Sequence, residues 1–395
     1  MSAMHIERPT LVVDENRVRR NIDRMVKRAQ DAKVQLRPHF KTHQSAAIGD
    51  WFRDAGIERI TVSSLEMAAY FADHGWRDIT VAFPCNVAQI DLLVQLAARV
   101  NLGIVVDSLE TIAILKQSLS QPVRTWIKVD VGYGRAGIAW DDTQNLVAVA
   151  RSLTDNAGDT LNLQFVGILT HAGHSYGASS QEALRDIAHS SLQRLQAAQR
   201  LLQQTTGAAC LLSSGDTPTI GSGQTIGAVD EIRPGNFVFH DVMQLALGSC
   251  QADEIAVAIA CPVVALYRDR GEALVYGGAA HFSKDFLQAD DCQQLSGLAA
   301  QQEALYGLVA ETPKGTGPWG AILPDAALVR LSQEHGIVRC RGSFLDSCQI
   351  GKPLFFLPIH SCLSSDLYPA YRSLEGHRLE RLRTNDAAQD PPGQR

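Results

Sequence analysis

The feature that most constrains this chain is an alternation that repeats over its first two-thirds. Apolar runs of strand length recur, each closing on a polar or Gly/Pro cluster: VQLRPHFK, RITVSS, DITVAFP, NLGIVVDS, VRTWIKVD, LQFVGILTH, ACLLSSGD and AVDEIRPG. Helical patterns such as SLEMAAYFADHG, NVAQIDLLVQLAARV and SLETIAILKQSL separate most of them. Ahead of them, Val18, Ile22, Met25, Val26 and Ala29 fall on one helical face. Several runs are apolar at consecutive positions, so both faces of those strands are buried, as in a parallel sheet covered by helices. Eight such units predict an α/β fold, a (β/α)8 TIM-like barrel, for which about 250 residues is typical. At 395 residues the chain exceeds what one core usually spans, so a second domain is expected.

Near Gly248 the pattern changes. EIAVAIACPVVALYRD, GEALVYGGA, HGIVRCRG and KPLFFLPIH are β-rich runs with little helical pattern between them. They predict a mainly antiparallel β domain. The reading therefore divides the chain into an N-terminal strand over 1–12 that packs with the β domain, a barrel over 13–248, the β domain over 249–375, and a polar tail over 376–395 expected to be disordered. A net charge of −6 and a pI near 6.1 argue against a nucleic-acid or anionic-membrane surface. No apolar run is long enough to span a bilayer and MSAMHIERPT has no apolar signal core, so no membrane partner and a cytoplasmic location are expected. The eight cysteines are scattered without a CxxC pair, and most read as small buried hydrophobes.

Chemistry in such barrels sits at the C-terminal ends of the strands. The first strand ends Arg37-Pro38-His39-Phe40-Lys41-Thr42-His43, the fifth Lys128-Val129-Asp130 followed by VGYGRAG, the sixth Thr170-His171-Ala172-Gly173-His174-Ser175-Tyr176. The seventh ends Ser213-Ser214-Gly215-Asp216-Thr217 and the eighth Glu231-Ile232-Arg233-Pro234-Gly235-Asn236. A lysine flanked by cations is a candidate nucleophilic amine, because desolvation and like charge lower its proton affinity; His39, His43 and Arg37 are the candidate neighbours of Lys41. SSGDT and RPGN read either as plain turns or as phosphate cradles of backbone N–H groups and hydroxyls. Gly132, Gly134 and Gly137 match the spacing of a dinucleotide loop, but a barrel strand count contradicts a Rossmann order. In the β domain, Pro358-Ile359-His360-Ser361-Cys362 follows an apolar strand. A His-x-Cys pair on extended backbone puts both side chains on one side, and imidazole with thiolate suits Zn²⁺, although a buried core pair fits as well.

Taken in order, RPHFKTHQ, KVDVGYGRAGI, LTHAGHSYG, SSGDTPT, EIRPGNFVFHD, SQEHG and LPIHSC resemble the fold-type III enzymes of pyridoxal 5′-phosphate (PLP). Within them the chain resembles the D-serine dehydratase and D-threonine aldolase family, whose barrel is alanine racemase-like. The resemblance runs from PTLVVDENRVRRNI to HSCLSSDLY. It implies that Lys41 is the Schiff-base lysine, that Arg135 lies near the phenolic oxygen of PLP, that His171 lies behind the ring and that Tyr176 approaches the cofactor. Ser214, Gly215 and Thr217 would hold the phosphate, joined by Gly235 and Asn236 through their backbone. Arg233 matches an arginine that faces the pyridine nitrogen in alanine racemase. His360 and Cys362 match the zinc pair of D-serine dehydratases, with another divalent metal as the alternative. D-Threonine aldolases carry His-x-Asp there, so the cysteine favours dehydration. The chain departs from the family at VYGGAAHFSKD, where Tyr276 and His281 stand near the expected substrate position.

The activity implied is zinc-assisted, PLP-dependent elimination from a D-3-hydroxy amino acid, such as D-serine or D-threo-3-hydroxyaspartate, in a homodimer. Lys41, His360 and Cys362 would be catalytic, with cofactor and metal supplied by different domains. The alternatives are retro-aldol cleavage of the same substrate class, then amino-acid racemization or a non-catalytic PLP carrier.

Overall fold

A computed structural model describes residues 5–155, 162–222, 226–292 and 295–382. The chain divides into two compact units, one from Met25 to Gly235 together with Leu382 onward, the other comprising the residues through Arg24 and Asn236–Arg381.

In the first unit, β1 (Gln35–Leu36), β2 (Arg59–Val62), β3 (Asp78–Pro84), β4 (Asn101–Val106), β5 (Val123–Asp130), β6 (Leu163–Thr170), β7 (Leu211–Ser214) and β8 (Glu231–Ile232) are parallel; β2 to β8 pair in sequence order, and β8 pairs with β1. The ring closes where the segment after β1 meets β2: His39 bridges Thr61, and the Phe40 N–H donates to the Thr61 carbonyl at 2.8 Å. The two shortest strands both run into proline. Pro38 and Pro234 have no N–H for a ladder, so β1 and β8 stop two residues or so in. Serines that close the apolar runs serve the next helix. Ser64 and Ser108 accept from the backbone N–H groups of Met67 and Thr111 and so cap the helices Leu65–Asp73 and Leu109–Ser118.

At the strand starts the barrel is plugged by charge. Buried Arg37 donates to Glu231 and to Asp78, both at 2.6 Å, and Arg124 joins Asp78. Burial alone would lower the Arg37 pKa, but the two carboxylates outweigh it and hold it above the usual value. Arg37, expected beside Lys41, is thus committed to this ion-pair network instead.

The second unit is built on a nine-stranded sheet, with a small ladder of Leu287–Gln288 and Ala304–Leu305 besides. It contains the N-terminal strand Thr10–Val13, β9 (Val257–Tyr267), β10 (Glu272–Tyr276), β11 (Gly307–Ala310), β12 (Ile322–Leu331), β13 (His335–Cys340), β14 (Pro353–Pro358), β15 (Ala370–Ser373) and β16 (Arg378–Glu380). The order is β10-β13-β12-β11-β14-β9, then the N-terminal strand, β15 and β16, and β10 also pairs with β9, so six strands form a ring. All pairs are antiparallel except that of the N-terminal strand with β15. Val12, Ile255, Trp319, Phe355 and Leu357 lie in its apolar core.

The unit boundary falls at Gly235 rather than near Gly248. Hydrogen bonds explain the shift: the Met243 N–H donates to Ile359 O at 3.1 Å and the Ala256 N–H to Phe239 O at 2.7 Å. On the N-terminal side, Asn21 Nδ2 donates to Glu254 O at 2.7 Å, which ties the start of the first helix to the same unit. Part of the segment expected as a disordered tail is strand, since Arg378–Glu380 pairs with β15; residues 383–395 lie outside the described residues, as do 1–4 of the expected N-terminal strand. No described helix is long and apolar enough to cross a membrane.

Candidate active site

The barrel unit brings the residues of five strand ends together. Half-buried Lys41 sits in a tight turn: its N–H donates to His39 Nδ1 at 3.3 Å, and Gln44, at φ 48°, donates from Nε2 to Lys41 O at 3.1 Å. Burial, then the charge of Lys41, pushes both His39 and His171 well below the usual imidazole pKa. Arg233 adds to the effect at His39, and Lys128 and Arg135 add to it at His171. Both imidazoles are therefore neutral at pH 7. His171 Nδ1 donates to the Gly215 carbonyl, which fixes its tautomer.

Lys128 is a residue that sequence reasoning recorded as a strand end and gave no role. Its amine is buried in the barrel, and burial, with Arg233 and Arg135 next, brings its pKa down to about 7. A lysine inside the apolar run TWIKVD was the available signal. The loop beyond it is closed by Asp130, whose carboxylate accepts from the N–H groups of Gly132, Tyr133 and Gly134 at 2.8–2.9 Å. Those amides are spent internally, so the GxGxxG spacing is not a dinucleotide cradle. Gly137 is required for packing, since a Cβ there would lie 2.6 Å from Lys128 Cγ, at φ 105°. Exposed Arg135 lies over the Tyr133 ring at 5.0 Å.

The SSGDT turn after β7 is built around Asp216. Its carboxylate accepts from the Thr219 N–H and Oγ1, both at 2.8 Å, and from Ser175 Oγ at 3.2 Å. Burial still raises its pKa to about 6. The Thr217 N–H lies 3.5 Å from Tyr176 Oη, and the fully buried Thr217 Oγ1 has no hydrogen-bond partner among the described residues. At Gly215 a Cβ would come within 3.0 Å of Arg233 Nη1, and at Gly235 within 2.9 Å of His39 O. Arg233 itself is spent on Ser213 Oγ, at 2.7 Å, and on the Thr170 carbonyl. A buried hydroxyl with no partner among the described residues, beside a turn where a side chain at Gly215 would crowd Arg233, fits a bound phosphate.

In the β unit, β14 ends at Pro358 and a short helix, Ser361–Asp366, begins at once. Buried Asp241 pins that turn. Its Oδ2 accepts from the Ser361 N–H at 2.9 Å, from Ser361 Oγ at 3.1 Å and from Asn236 Nδ2 at 2.6 Å. Asn236 Nδ2 also reaches Cys362 Sγ at 3.5 Å. The Asn236 side chain therefore serves the His-x-Cys turn, a role that sequence reasoning missed along with Asp241. His360 and Cys362 are in hydrogen-bond contact, and His360 Nδ1 donates to Asp285 Oδ2 at 3.0 Å. Burial would lower the His360 pKa, but Asp285 and Cys362 carry it up to about 11. With Nδ1 held by a carboxylate, Nε2, once a metal displaces its proton, and the thiol are a borderline-soft donor pair that fits zinc. Among the described residues no group of three or more His, Cys, Asp or Glu side chains forms a metal set.

A closed parallel barrel whose strand ends hold a lysine, neutral histidines and a phosphate-fitting turn is the framework of a fold-type III PLP enzyme. The model for the N-terminal domain of alanine racemase matches residues 13–242, and that for a serine dehydratase domain matches 256–374. The chain is 32% identical over 381 residues to D-threo-3-hydroxyaspartate dehydratase of Delftia sp. (strain HT23), covering 93% of this chain and 94% of that one. It is 26% identical over 391 residues to D-serine dehydratase of Dictyostelium discoideum, covering 93% of each. The solved structure of the Delftia enzyme superimposes with a TM-score of 0.84 at 29% identity, covering 95% of this chain and 98% of that one; another structure of that enzyme is a cysteine-to-alanine mutant in the metal-free form. The chain belongs to the alanine racemase-like, fold-type III PLP enzymes, in their D-serine dehydratase-related lyase branch.

Proposed function

We propose that this chain is a zinc-assisted, PLP-dependent dehydratase that converts a D-3-hydroxy amino acid, D-threo-3-hydroxyaspartate or D-serine, into a 2-oxo acid and ammonia. The observation that carries the reading is the His360–Cys362 pair, pinned by Asp241 and Asn236 and carrying cysteine where the aldolases have aspartate. The names of the relatives support the same substrate class.

Lys41 would hold PLP covalently. Ser214, Gly215 and Thr217 would hold its phosphate, joined by the backbone of Gly235 and Asn236, with Arg135, His171 and Tyr176 around the ring. When bound, PLP supplies an electron sink that makes the α-proton of an amino acid labile. A divalent metal on His360 and Cys362 supplies Lewis acidity toward a β-hydroxyl. The Lys41 amine receives the α-proton. His39 and His171 stay neutral beside it and so do not add to the positive charge around it. His171, fixed on Gly215 O, keeps one orientation throughout. The overall change balances: the Cα–H and Cβ–O bonds break, one water leaves, and one water returns as the enamine product hydrolyses to 2-oxo acid and ammonia. The working form is a cytoplasmic homodimer, a reading supported by the family resemblance and testable by light scattering.

The deciding experiment supplies D-serine, D-threonine and D-threo-3-hydroxyaspartate to the purified protein. Ammonia with 2-oxo acid is the expected result. Glycine with an aldehyde would replace this reading by retro-aldol cleavage.

A further inference from the structure

We infer that Asp285 is a positioning residue for the metal: its carboxylate fixes the His360 imidazole with the proton on Nδ1 and so presents Nε2 as the donor. The inference rests on the metal reading of His360 and Cys362. Two independent features carry it.

The first is the contact. Asp285 Oδ2 lies 3.0 Å from His360 Nδ1. An imidazole that donates through one nitrogen to a carboxylate has its lone pair on the other, and the carboxylate makes that nitrogen a stronger ligand.

The second is the backbone that delivers Asp285. Ser283 stands at φ 70° and ψ −172°, a region that only glycine adopts readily. A serine held there is strained, and such strain persists only where the surroundings enforce it. Here they do. The Ser283 N–H donates to Ala279 O at 3.0 Å, and the Asp285 N–H donates to Ser283 Oγ at 3.1 Å. Ser364, on the same helix as Cys362, donates from Oγ to Phe282 O at 2.8 Å. The turn that aims Asp285 is thereby stitched to the helix that carries the thiol. A solvated Asp–His ion pair would require none of this. The segment is the one where the chain departs from its family pattern, VYGGAAHFSKD, and Asp285 is its last residue.

The test compares holoenzymes of the wild type, Asp285→Asn, Asp285→Ala and Lys284→Ala. Zn²⁺ affinity is measured by chelator competition, and the thiolate charge-transfer spectrum is recorded with Co²⁺ in place of Zn²⁺. Asp285→Ala should bind Zn²⁺ about 10–100-fold more weakly. Asp285→Asn, which keeps an acceptor for Nδ1–H but not the charge, should fall between, and Lys284→Ala should match the wild type. At saturating Co²⁺ the Asp285→Asn spectrum should keep the wild-type band, because imidazole and thiolate remain the ligands. If Asp285→Ala fails to fold, Asp285→Asn decides alone. Unchanged Zn²⁺ affinity in the Asp285 variants overturns the positioning role and leaves the metal reading standing. A changed Co²⁺ band in Asp285→Asn overturns it too, by making Asp285 a ligand. A wild type that binds no metal, or binding that survives His360→Ala with Cys362→Ala, overturns the metal reading and this inference together.

Discussion

A lysine at a strand end becomes chemically useful when its neighbours do not compete for its proton. Lys41 has that setting, with two imidazoles held neutral by burial and by its own charge. Borohydride reduction of the holoenzyme should therefore add the cofactor mass to the peptide containing Lys41, and Lys41→Ala should abolish turnover. Lys284→Ala should do neither, since that lysine is exposed in the β unit. Mass spectrometry placing the label on Lys284 would refute the site. At Thr217 the expectation separates binding from folding. Its buried Oγ1 has no hydrogen-bond partner among the described residues, so Thr217→Val removes none of their hydrogen bonds. The variant should melt at or slightly above the temperature of the cofactor-free wild type. It should nevertheless bind PLP about 10–100-fold more weakly, the usual cost of losing a hydrogen bond to a charged group. Equal PLP affinity in a fluorescence titration would remove Thr217 from the phosphate site.

Among the elements, β5 carries an internal charge, and the stability of the barrel should record it. Burial holds the Lys128 amine at about 7 in the folded chain against 10.5 as the reference value. Between those values the unfolded chain binds more protons than the folded one, so stability rises with pH through the window and is lost as pH falls toward 7. The effect is on the order of a few kcal/mol. Urea unfolding of the cofactor-free protein at pH 7.5 and 9.5 should show the rise in the wild type, and Lys128→Met should flatten it; equal slopes in both would place the amine in contact with water. What was legible in the chain follows the same division between local and distant causes. Strands such as NLGIVVDS announce themselves because a strand buried on both faces needs apolar residues at consecutive positions, and the serines after them mark helix starts. Lys41, His171 and the SSGDT turn could be picked out as candidates because each follows such a strand. β12 was not, because ILPDAALVRL interrupts its apolar run with proline and aspartate. Asp241, Asn236 and Asp285 were not either. Their roles come from partners 75–126 residues away, and no local pattern encodes that distance. Arg37 was misplaced for the converse reason: it adjoins the Lys41 motif in sequence, but the carboxylates that claim it come from β3 and β8.

At the scale of the molecule, Lys41 and the SSGDT turn, proposed to hold the cofactor, belong to one compact unit, and His360 and Cys362, proposed to hold the metal, belong to the other. Removing one group should therefore leave the other in place. A chelator should abolish elimination while the absorbance of bound PLP persists, and added zinc should restore turnover. Cys362→Ala should behave like the chelated protein, with turnover reduced on the order of 100-fold, because thiolate supplies much of the affinity of a zinc site. Its fold should survive: the thiol is half-buried, and the Asp241 bonds that hold the turn reach Ser361 rather than Cys362. Cys362→Asp is the sharper variant, since it installs the His-x-Asp pair of the aldolases without touching the barrel. A hard oxygen donor in place of sulfur should shift metal preference from Zn²⁺ toward Mn²⁺ or Mg²⁺. Glycine and aldehyde should then be assayed beside ammonia and 2-oxo acid, with each metal in turn. If the Cys362→Ala protein eliminated at the full rate in metal-free buffer, the division of labour between the two units would be wrong. Lys41 and the barrel would then have to carry the whole reaction.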